Sequence, residues 1–271
     1  MPINDEFSGG MIDSLDYKTG VISALKVTPI FFIVDISQSM AGRKIGIVNS
    51  TMEEIMNELS SFSSSDSEIR FAVLSFGTNC TWETGEQGLI PCDGFWKDLS
   101  VDGLTYFNTA CRELKQKLSG THGFFKFAAG RTITPPVLIL LTDGYANDGN
   151  FNANGDDGIE ELKKNKYFRG SYRIAIAIGE GANQTLCQNF TGDKELVYTT
   201  HNAAALQKIL NVVVKGSVTV SSSGVSQLNS PEAHLDEVTP STDFLKNQVQ
   251  NEIKADKELT ENFKVDIDDW D

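Results

Sequence analysis

The sequence predicts an α/β fold in which a doubly wound, mostly parallel sheet is flanked by helices on both faces. Short apolar runs rich in β-branched and aromatic residues recur along the chain, for example at 30–34 and 137–141. These runs are continuously apolar, as expected of strands that are buried on both faces of a sheet. Segments with helical periodicity separate them. Strands that alternate with helices, without repeated hairpins, are typical of a parallel sheet.

The predicted elements follow in order along the chain. The first strand, Ile30–Val34, runs into Asp35, and apolar residues at helical spacing then predict a helix over 44–62. The next strand is "IRFAVLSF", and the region from there to Cys92 is interpreted as a hairpin that turns at "TGEQG". The remaining predicted strands are 137–144, 173–179 and 195–200, and the remaining predicted helices lie within 102–118, 158–165 and 202–214.

Acidic residues dominate the charge of the 271-residue chain, which has 37 Asp and Glu against 23 Lys and Arg and a formal net charge of −14. This excess argues against a nucleic-acid partner, because phosphates are neutralised by Lys and Arg. No apolar run approaches the ~18 residues that span a bilayer, and the N-terminal residues show no secretory-signal pattern. Four scattered cysteines do not suggest a disulfide scaffold. The chain is therefore expected to be cytoplasmic, with no membrane partner, and its oligomeric state is left open.

Composition divides the chain into three parts. Residues 1–28 form a polar N-terminal leader, 29–220 form the α/β domain, and 221–271 form an acidic C-terminal extension that begins in "SSSG". From Pro231 to Asp271 the extension carries twelve Asp and Glu and four Lys. A Ser241/Thr242 cap predicts an amphipathic helix with its apolar side chains at Phe244, Leu245, Val249, Ile253 and Leu259. Its end is expected to be disordered until it is bound.

Five oxygen-bearing side chains stand where the predicted strands and loops meet. In "FFIVDISQSMAG" a buried strand ends at Asp35, and Ser37 and Ser39 follow at alternate positions. A second buried strand ends at Asp143 in "VLILLTDG", and Thr105 opens a helix in "DGLTYF". Ligands of doubly wound sheets bind outside the carboxyl ends of the strands, where the strand order reverses. These five side chains are therefore expected to meet in one crevice.

All five side chains are hard oxygen donors, which suit Mg²⁺, Mn²⁺ or Ca²⁺ better than zinc. The alternative is a strand-to-helix turn in which the serines and aspartates serve only as caps. That alternative accounts for Asp35, Ser37 and Ser39 but leaves Thr105 and Asp143 unexplained. We therefore expect Mg²⁺ or Mn²⁺ at the site. Because Mg²⁺ gives up its waters reluctantly, one exchangeable position is expected to remain for the carboxylate of a partner.

The motifs "DISQS", "GLT" and "TDG", in this order and spacing, resemble the metal-ion-dependent adhesion site of von Willebrand factor type A domains. The resemblance covers roughly Pro29 to Val214, and it implies a Rossmann-like sheet. It also implies that Ser37, Ser39 and Thr105 are hydroxyl ligands of the metal, while Asp35 and Asp143 act largely through water. All five positions of the pattern are filled in this chain.

Within that superfamily the chain looks most like the bacterial TerY-like tellurium-resistance proteins. The similarity lies in "PIFFIVDISQSM", "VLSFGTN" and "PPVLILLTDGYANDG". It implies an intracellular scaffold or adaptor in a stress-response or defence system. Together with the open position on the metal, it leads us to expect a protein partner that presents an Asp or Glu to that metal. An adaptor that hands clients to an ATPase is an alternative.

A phosphohydrolase dependent on a divalent metal is the competing class. The haloacid-dehalogenase type uses a strand-end Asp as nucleophile and a second Asp two positions later as acid and base. The second position is Ser37 here, and a serine does no acid–base work near neutral pH. No G-x-S-x-G elbow, Walker lysine motif or H-E-x-x-H helix is present. The chain is therefore expected not to be an enzyme.

Two further questions stay open at this point. The loop Asn150–Glu161 matches much of the spacing of a calcium-binding loop, but Asn150 stands where that motif has Asp. Cys80 and Cys92 would face each other if a hairpin turned near Glu86, although a cytoplasmic disulfide is not favoured.

Overall fold

The computed structural model describes residues 26–61, 67–93, 96–126, 131–148, 158–179, 181–200 and 203–223, with 243, 246–247 and 250–251. Within 26–223, the described residues contain eight strands and six α-helices. The strands are β1 Lys26–Asp35, β2 Ser67–Phe76, β3 Cys80–Trp82, β4 Ile90–Pro91, β5 Thr132–Ile133, β6 Val137–Thr142, β7 Tyr172–Ile178 and β8 Val197–Thr200. The helices are α1 Arg43–Ser60, α2 Phe107–Lys117, α3 Gly158–Lys163, α4 Lys166–Arg169, α5 Gln184–Thr191 and α6 Ala203–Ser223.

The strands form one sheet in the order β3-β2-β1-β6-β7-β8, which confirms the predicted doubly wound architecture. Strands β1, β2, β6, β7 and β8 run parallel to one another, whereas β3 and β4 pair antiparallel with β2. The two-residue strand β5 pairs with the start of β1. The sheet is therefore mostly parallel, with its antiparallel part at the β2 edge.

Both faces of the sheet are covered, which explains the continuous apolar runs. Along β1, Ile30 and Phe32 belong to the core shared with α1 and α6, whereas Phe31 and Ile33 belong to the opposite core shared with α2 and α5. These side chains are almost completely buried. Since successive residues of a strand point to opposite faces, most positions of a strand covered on both sides are apolar.

The strand order reverses between β1 and β6. Strand β1 leads through α1 to β2 on one side, and β6 leads through α3 and α4 to β7 on the other. Adjacent parallel strands whose connections lead apart leave a crevice at their carboxyl ends. Asp35 is the last residue of β1, and Asp143 directly follows β6. The fold therefore places both predicted carboxylates at this crevice.

The predicted hairpin at "TGEQG" is wrong in its pairing. Strand β3 pairs with β2 through Phe76 and Cys80, and β4 pairs farther along the same edge of β2. The amide of Cys92 donates to the carbonyl of Ile69, 3.4 Å away. The two cysteines thus lie about seven strand residues, or roughly 20 Å, apart along β2, far beyond the reach of a disulfide. All four cysteines are free.

Two boundaries differ from the predicted ones. Strand β1 begins at Lys26 and not at the predicted Ile30, because Lys26 and Val27 pair with both β2 and β5. Helix α6 continues to Ser223, so the first serines assigned to the extension are helical. Helices α4 and α5 were not predicted; the side chains of Asn165 and Asn183 cap their N-termini by accepting backbone N–H bonds.

Several predictions lie outside the described residues. They are the leader up to residue 25, most of the loop 150–161, and most of the extension, including the apolar positions of its predicted helix. Residues 243, 246–247 and 250–251 are helical, and Lys246 forms an ion pair with Asp193 and lies 3.2 Å from Glu195. This part of the extension therefore contacts the domain. None of the described helices is long and apolar enough to cross a membrane.

Candidate metal centre

Asp35 is completely buried and held by two hydrogen bonds. Its Oδ2 accepts from Thr142 Oγ1 at 2.6 Å, and its Oδ1 accepts from the backbone N–H of Ser37 at 2.9 Å. Burial raises the pKa of Asp35 to about 6, although the bonds from Thr142 and Ser37 lower it, and the charge of Asp143 adds to the rise. The carboxylate is thus fixed in orientation and costly to ionise unless a positive charge lies beside it.

Ser37 and Ser39 bring their hydroxyls together just beyond Asp35. The two Oγ atoms are 3.0 Å apart, and Ser37 is buried while Ser39 is exposed. A short 3₁₀ turn over Gln38–Met40 follows directly on Ser37 and sets this spacing. The predicted alternate positions therefore do point the same way.

Asp143 carries an unpaired buried oxygen. Its Oδ1 is buried and has no hydrogen-bond partner in the described part of the chain, while its Oδ2 lies 3.5 Å from Lys44 Nζ. Lys44 also donates to the carbonyl of Ser39 at 3.1 Å, which places the Asp143 loop beside the serine loop. A buried acceptor without a donor costs on the order of 1–3 kcal/mol. This oxygen is therefore poised to meet a cation or a water bound to one.

Main-chain hydrogen bonds bring the loop of Thr105 to the other donors. The amide of Asp102 donates to the carbonyl of Ile36 at 2.6 Å, and the amide of Gln38 donates to the carbonyl of Gly103 at 2.8 Å. The loop that contains buried Thr105 consequently runs beside the loop that contains Ser37. The backbone of Thr105, the third predicted hydroxyl ligand, is thus held next to the serine loop.

Asn147 fastens Thr105 to the Asp143 loop. The Thr105 amide donates to Asn147 Oδ1 at 2.8 Å, and the Asn147 amide donates back to the Thr105 carbonyl at 2.7 Å. On its other side, the Asp143 carbonyl accepts from the amide of Asn183 at 3.0 Å. Backbone hydrogen bonds and the side chain of Asn147 therefore hold three loops together around the crevice.

Three residues of the site were missed by the sequence reasoning: Thr142, Lys44 and Asn147. Thr142 was detectable as the polar end of an otherwise apolar strand. Lys44 and Asn147 contact Asp143 and Thr105, which are 99 and 42 residues away in the chain. A local sequence pattern does not predict contacts between residues so far apart in the chain.

The donor set fits a hard divalent cation. The predicted donors are two carboxylates and three hydroxyls on loops that meet at the crevice, and Oδ1 of Asp143 is buried without a hydrogen-bond partner in the described residues. No group of three or more His, Cys, Asp or Glu side chains that could hold a metal occurs in the ranges that the structure describes. Oxygen donors of this kind suit hard divalent cations.

Fold and site together define a doubly wound α/β domain with an oxygen-donor crevice at its topological switch point. The family model for the von Willebrand factor type A domain matches residues 30–212. The match covers more than half of the chain, which therefore belongs to this family. Domains of the family are protein-interaction modules and are often metal-dependent.

Solved structures show the same fold at low sequence identity. Proximal thread matrix protein 1 from the mussel byssus, solved with a zinc-occupied MIDAS motif, is 19% identical with a TM-score of 0.51, covering 71% of this chain and 48% of its own. The pilus adhesin SpaC from Lactobacillus rhamnosus GG, in an open conformation, is 14% identical with a TM-score of 0.52, covering 73% and 30%. The match thus spans about half of the mussel protein and less than a third of the adhesin. Comparison with proteins of curated function gave no match.

Proposed function

We propose that this domain binds a protein partner through a divalent cation, to which the partner supplies an aspartate or glutamate carboxylate. The observation that carries the proposal is the buried, unpaired Oδ1 of Asp143 beside the buried carboxylate of Asp35. Burial and, to a smaller extent, the charge of Asp143 raise the pKa of Asp35, so a cation beside the two carboxylates would stabilise the ionised form of Asp35. The crevice that they line is at the end of the sheet, where a partner can reach it.

In this proposal the hydroxyls of Ser37, Ser39 and Thr105 bind the metal directly, and Asp35 and Asp143 act largely through water. Asp35 suits an indirect role, because Thr142 and Ser37 already occupy both of its oxygens. A bound Mg²⁺ or Mn²⁺ would supply a positive charge with one exchangeable position. A carboxylate at that position gains a charge-assisted bond, whereas a neutral group only replaces a water.

The proposed role is that of a scaffold or adaptor in a bacterial stress-response or defence system, in the cytoplasm, in line with the TerY-like resemblance. The net charge of −14 supports selectivity, since an acidic partner is repelled except where its carboxylate meets the cation. We further propose that the domain is not an enzyme. Asp35 is completely buried, so its carboxylate is not presented to a substrate as a nucleophile.

The metal and its place can be tested directly. Crystals soaked in Mn²⁺ should show an anomalous peak among Ser37, Ser39 and Thr105. Titrations with Mg²⁺, Mn²⁺, Ca²⁺ and Zn²⁺ would rank the metals, and Zn²⁺ belongs in the series because it occupies the motif of the mussel protein. A peak elsewhere, or no peak when Mn²⁺ saturates the protein in solution, contradicts the assignment.

Partner binding is tested by capture from a bacterial lysate in Mg²⁺ and in EDTA. A partner held only in Mg²⁺ is then changed at each surface Asp and Glu to the corresponding amide. One such change should remove most of the Mg²⁺-dependent affinity. If every amide variant binds as well as the unchanged partner, the carboxylate mechanism is wrong for this protein.

Asn147 is expected to act as a positioning residue. Asn147→Ala removes the acceptor of the Thr105 amide and should lower Mn²⁺ affinity several-fold at a cost of about 1 kcal/mol in stability. Asn147→Asp keeps an acceptor at the same place and should retain Mn²⁺ binding. Calorimetric titration of both variants is the measurement. An equal loss of Mn²⁺ affinity in the two variants would show that the hydrogen bond accepted by Asn147 Oδ1 does not position the site.

A further inference from the structure

A wide cleft lies at the C-terminal end of α2, away from the candidate metal centre. Its volume is about 1050 Å³, as large as the largest ligand sites of proteins. Residues 112, 115–122, 161 and 165–167 line it. Helix α2 begins at Phe107, two residues after Thr105, and its last residue, Lys117, lines the cleft. Since the eleven residues of α2 rise about 16 Å, the cleft and the metal centre lie at opposite ends of this helix.

The cleft is basic, although the chain as a whole is acidic. Among the described residues that line it there are four cationic side chains and a single carboxylate: Arg112, Lys115, Lys117 and Lys166 against Glu161. Segments 112–126 and 160–169, which contain these residues, carry eight Lys and Arg and three Glu, a net charge of +5 in a chain of −14. A cleft lined by one sign of charge concentrates ligands of the opposite sign. The cleft is therefore suited to an acidic ligand.

The ends of the helices do not account for this charge. Lys115 and Lys117 lie in the last turn of α2, where cations offset the helix dipole, and they form ion pairs with Glu161 and Glu86. These pairs are partly exposed, and exposed pairs contribute little to stability, so an incoming carboxylate can replace either glutamate at small cost. Lys166 is the first residue of α4, where a cation opposes the dipole. Its position therefore has no explanation in the stability of α4.

An acidic segment of the same chain complements the cleft. The sequence 265–271, "VDIDDWD", contains four aspartates and no Lys or Arg. Its Trp270 adds an aromatic ring of the kind to which cations bind best. The cleft already contains such a contact, because Lys166 Nζ lies 5.2 Å from the centre of the Tyr167 ring. Charge and aromatic character thus match on the two sides.

The described part of the extension lies close to the elements that line the cleft. Lys246 forms an ion pair with Asp193, and the backbone of Asp193 is bonded to the Thr191 hydroxyl at 2.7 and 3.1 Å. Arg173 then joins α5 to α4, since it donates to the Thr191 carbonyl at 3.1 Å and to the Phe168 carbonyl at 2.6 Å. Phe168 follows directly on residues that line the cleft. A short path of hydrogen bonds therefore leads from the extension to the cleft.

The length of the chain permits the contact. Fourteen residue steps separate Asn251, the last described residue, from Val265, and they reach about 46 Å when extended. The radius of gyration of a domain of about 200 residues is only about 16 Å. Residues 265–271 can therefore reach the cleft from where the described chain ends.

We infer that residues 265–271 bind in the basic cleft, so that the chain's own acidic extension is held at the end of α2 opposite to the metal centre. The contact itself needs no metal and does not depend on the proposed function. Its consequence does: a tethered acidic segment has an effective concentration of roughly millimolar, and it would compete with a partner's carboxylate for the cation unless another site held it.

Carbodiimide crosslinking, which joins a Lys amine to a carboxylate in contact with it, tests the inference in the intact chain. Trypsin cleaves after Lys264 and releases residues 265–271 as one peptide. This peptide should be recovered on Lys115, Lys117 or Lys166, and its yield should fall in about 1 M NaCl, where the Debye length is about 3 Å. A mixture of ¹⁵N-labelled and unlabelled chains distinguishes contact within a chain from contact between copies.

Lys215 is the matched control for Lys115. The two side chains are 45% and 41% exposed, and each forms one ion pair with a glutamate, at 2.8 and 2.9 Å. Lys215 belongs to α6, which packs on the other face of the sheet. The crosslinked peptide should therefore be absent from Lys215.

A second measurement gives the affinity. A fluorescein-labelled synthetic peptide of residues 265–271 should bind to a full-length variant in which Asp266, Asp268, Asp269 and Asp271 are replaced by Asn. The native chain should bind the peptide about tenfold more weakly, because its own segment occupies the cleft. Adding Lys115→Gln and Lys166→Gln to the variant should weaken the peptide about tenfold, whereas Lys215→Gln should not. Urea unfolding should show equal stability of these chains, since the substituted lysines are exposed or partly exposed.

Each other outcome identifies a different occupant. Crosslinks that join labelled to unlabelled chains would place a second copy in the cleft and overturn the inference. Crosslinks to Lys44, or peptide binding that EDTA abolishes, would place the acidic segment at the metal centre and overturn it as well. Crosslinks as abundant on Lys215 as on Lys115, or equal peptide binding by the native chain and the Asn variant, would show that the segment has no fixed site. All of these outcomes leave the metal-dependent binding of a partner to be decided by its own tests.

Discussion

Replacing Asp35 by asparagine should make the metal-free domain more stable at pH 7.5, by about 2–3 kcal/mol, and should leave its stability at pH 4 almost unchanged. Asparagine keeps the size of the side chain and an oxygen that can accept from the Ser37 amide. Its NH₂ group can donate to Thr142 Oγ1. The variant therefore removes the charge and little else.

The expected gain in stability at pH 7.5 follows from the raised pKa of Asp35, which is about 6 in the folded domain against an ordinary value of 3.8. Between these two values the folded domain keeps a proton that the unfolded chain has lost. Native stability must therefore fall as the pH rises from about 4 to about 6, and it stays lower above that range. Urea unfolding without metal at both pH values measures the difference. Glu53→Gln, at an exposed position of α1, is the control and should change neither value.

The same variant should lose its response to metal. Saturating Mg²⁺ stabilises a native protein by mass action, by about 2.7 kcal/mol at a hundredfold excess over the dissociation constant. Asp35→Asn removes one of the two negative charges that attract the cation, so its unfolding curve should hardly move on addition of Mg²⁺. Equal stabilisation of variant and native protein would place the metal away from Asp35.

The expected gain in metal-free stability and the expected loss of the response to metal have one cause: in our proposal, the charge that weakens the metal-free domain is the charge that attracts the cation. Asp35 and the unpaired oxygen of Asp143 both weaken the metal-free fold, and both are buried at the same crevice. Natural domains retain such strain where a ligand relieves it. An aspartate whose burial weakens the metal-free domain is thus also one of the two carboxylates proposed to act on the metal.

The part of this site that sequence predicts is the part set by strand ends. Asp35 and Asp143 each terminate a continuously apolar run, and the switch-point rule then brings two strand ends together without further information. Thr105 lies in a loop, and its place follows from the motif resemblance and not from periodicity. The contacts from Asn147 and Lys44 depend on how separate loops pack, which no local pattern encodes.

Errors in the predicted fold have the same origin. Helices α4 and α5 have four and eight residues, too few to show a helical period above the background of a polar segment. Their capping residues, Asn165 and Asn183, were the only local signals. The hairpin was misassigned because β3 and β4 both pair with β2, and a three-residue strand contains no information on its register.

The second large effect on stability and metal binding is expected at Gly144, which the backbone of Asn183 approaches closely. Gly144 has a φ of 87°, and a Cβ built there would lie 2.6 Å from the amide nitrogen of Asn183 and 2.7 Å from its carbonyl oxygen. These are backbone atoms, so no side-chain rotation relieves the clash. The same Asn183 amide holds the carbonyl of Asp143. An added methyl group must therefore displace the segment that carries Asp143.

Gly85 offers a matched control, because its φ is also 87° and a Cβ built there meets nothing within 4 Å. Gly85→Ala should cost only the backbone strain, about 1–2 kcal/mol. Gly144→Ala should cost the same strain plus roughly 1–3 kcal/mol from overpacking. It should also lower Mn²⁺ affinity at least tenfold, whereas Gly85→Ala should bind Mn²⁺ normally. Urea unfolding and calorimetric titration give both quantities. If the two variants lose equal stability, the close contact with Asn183 does not add to the cost of the substitution. If Gly144→Ala is destabilised but binds Mn²⁺ as tightly as the native domain, Asp143 does not belong to the metal site.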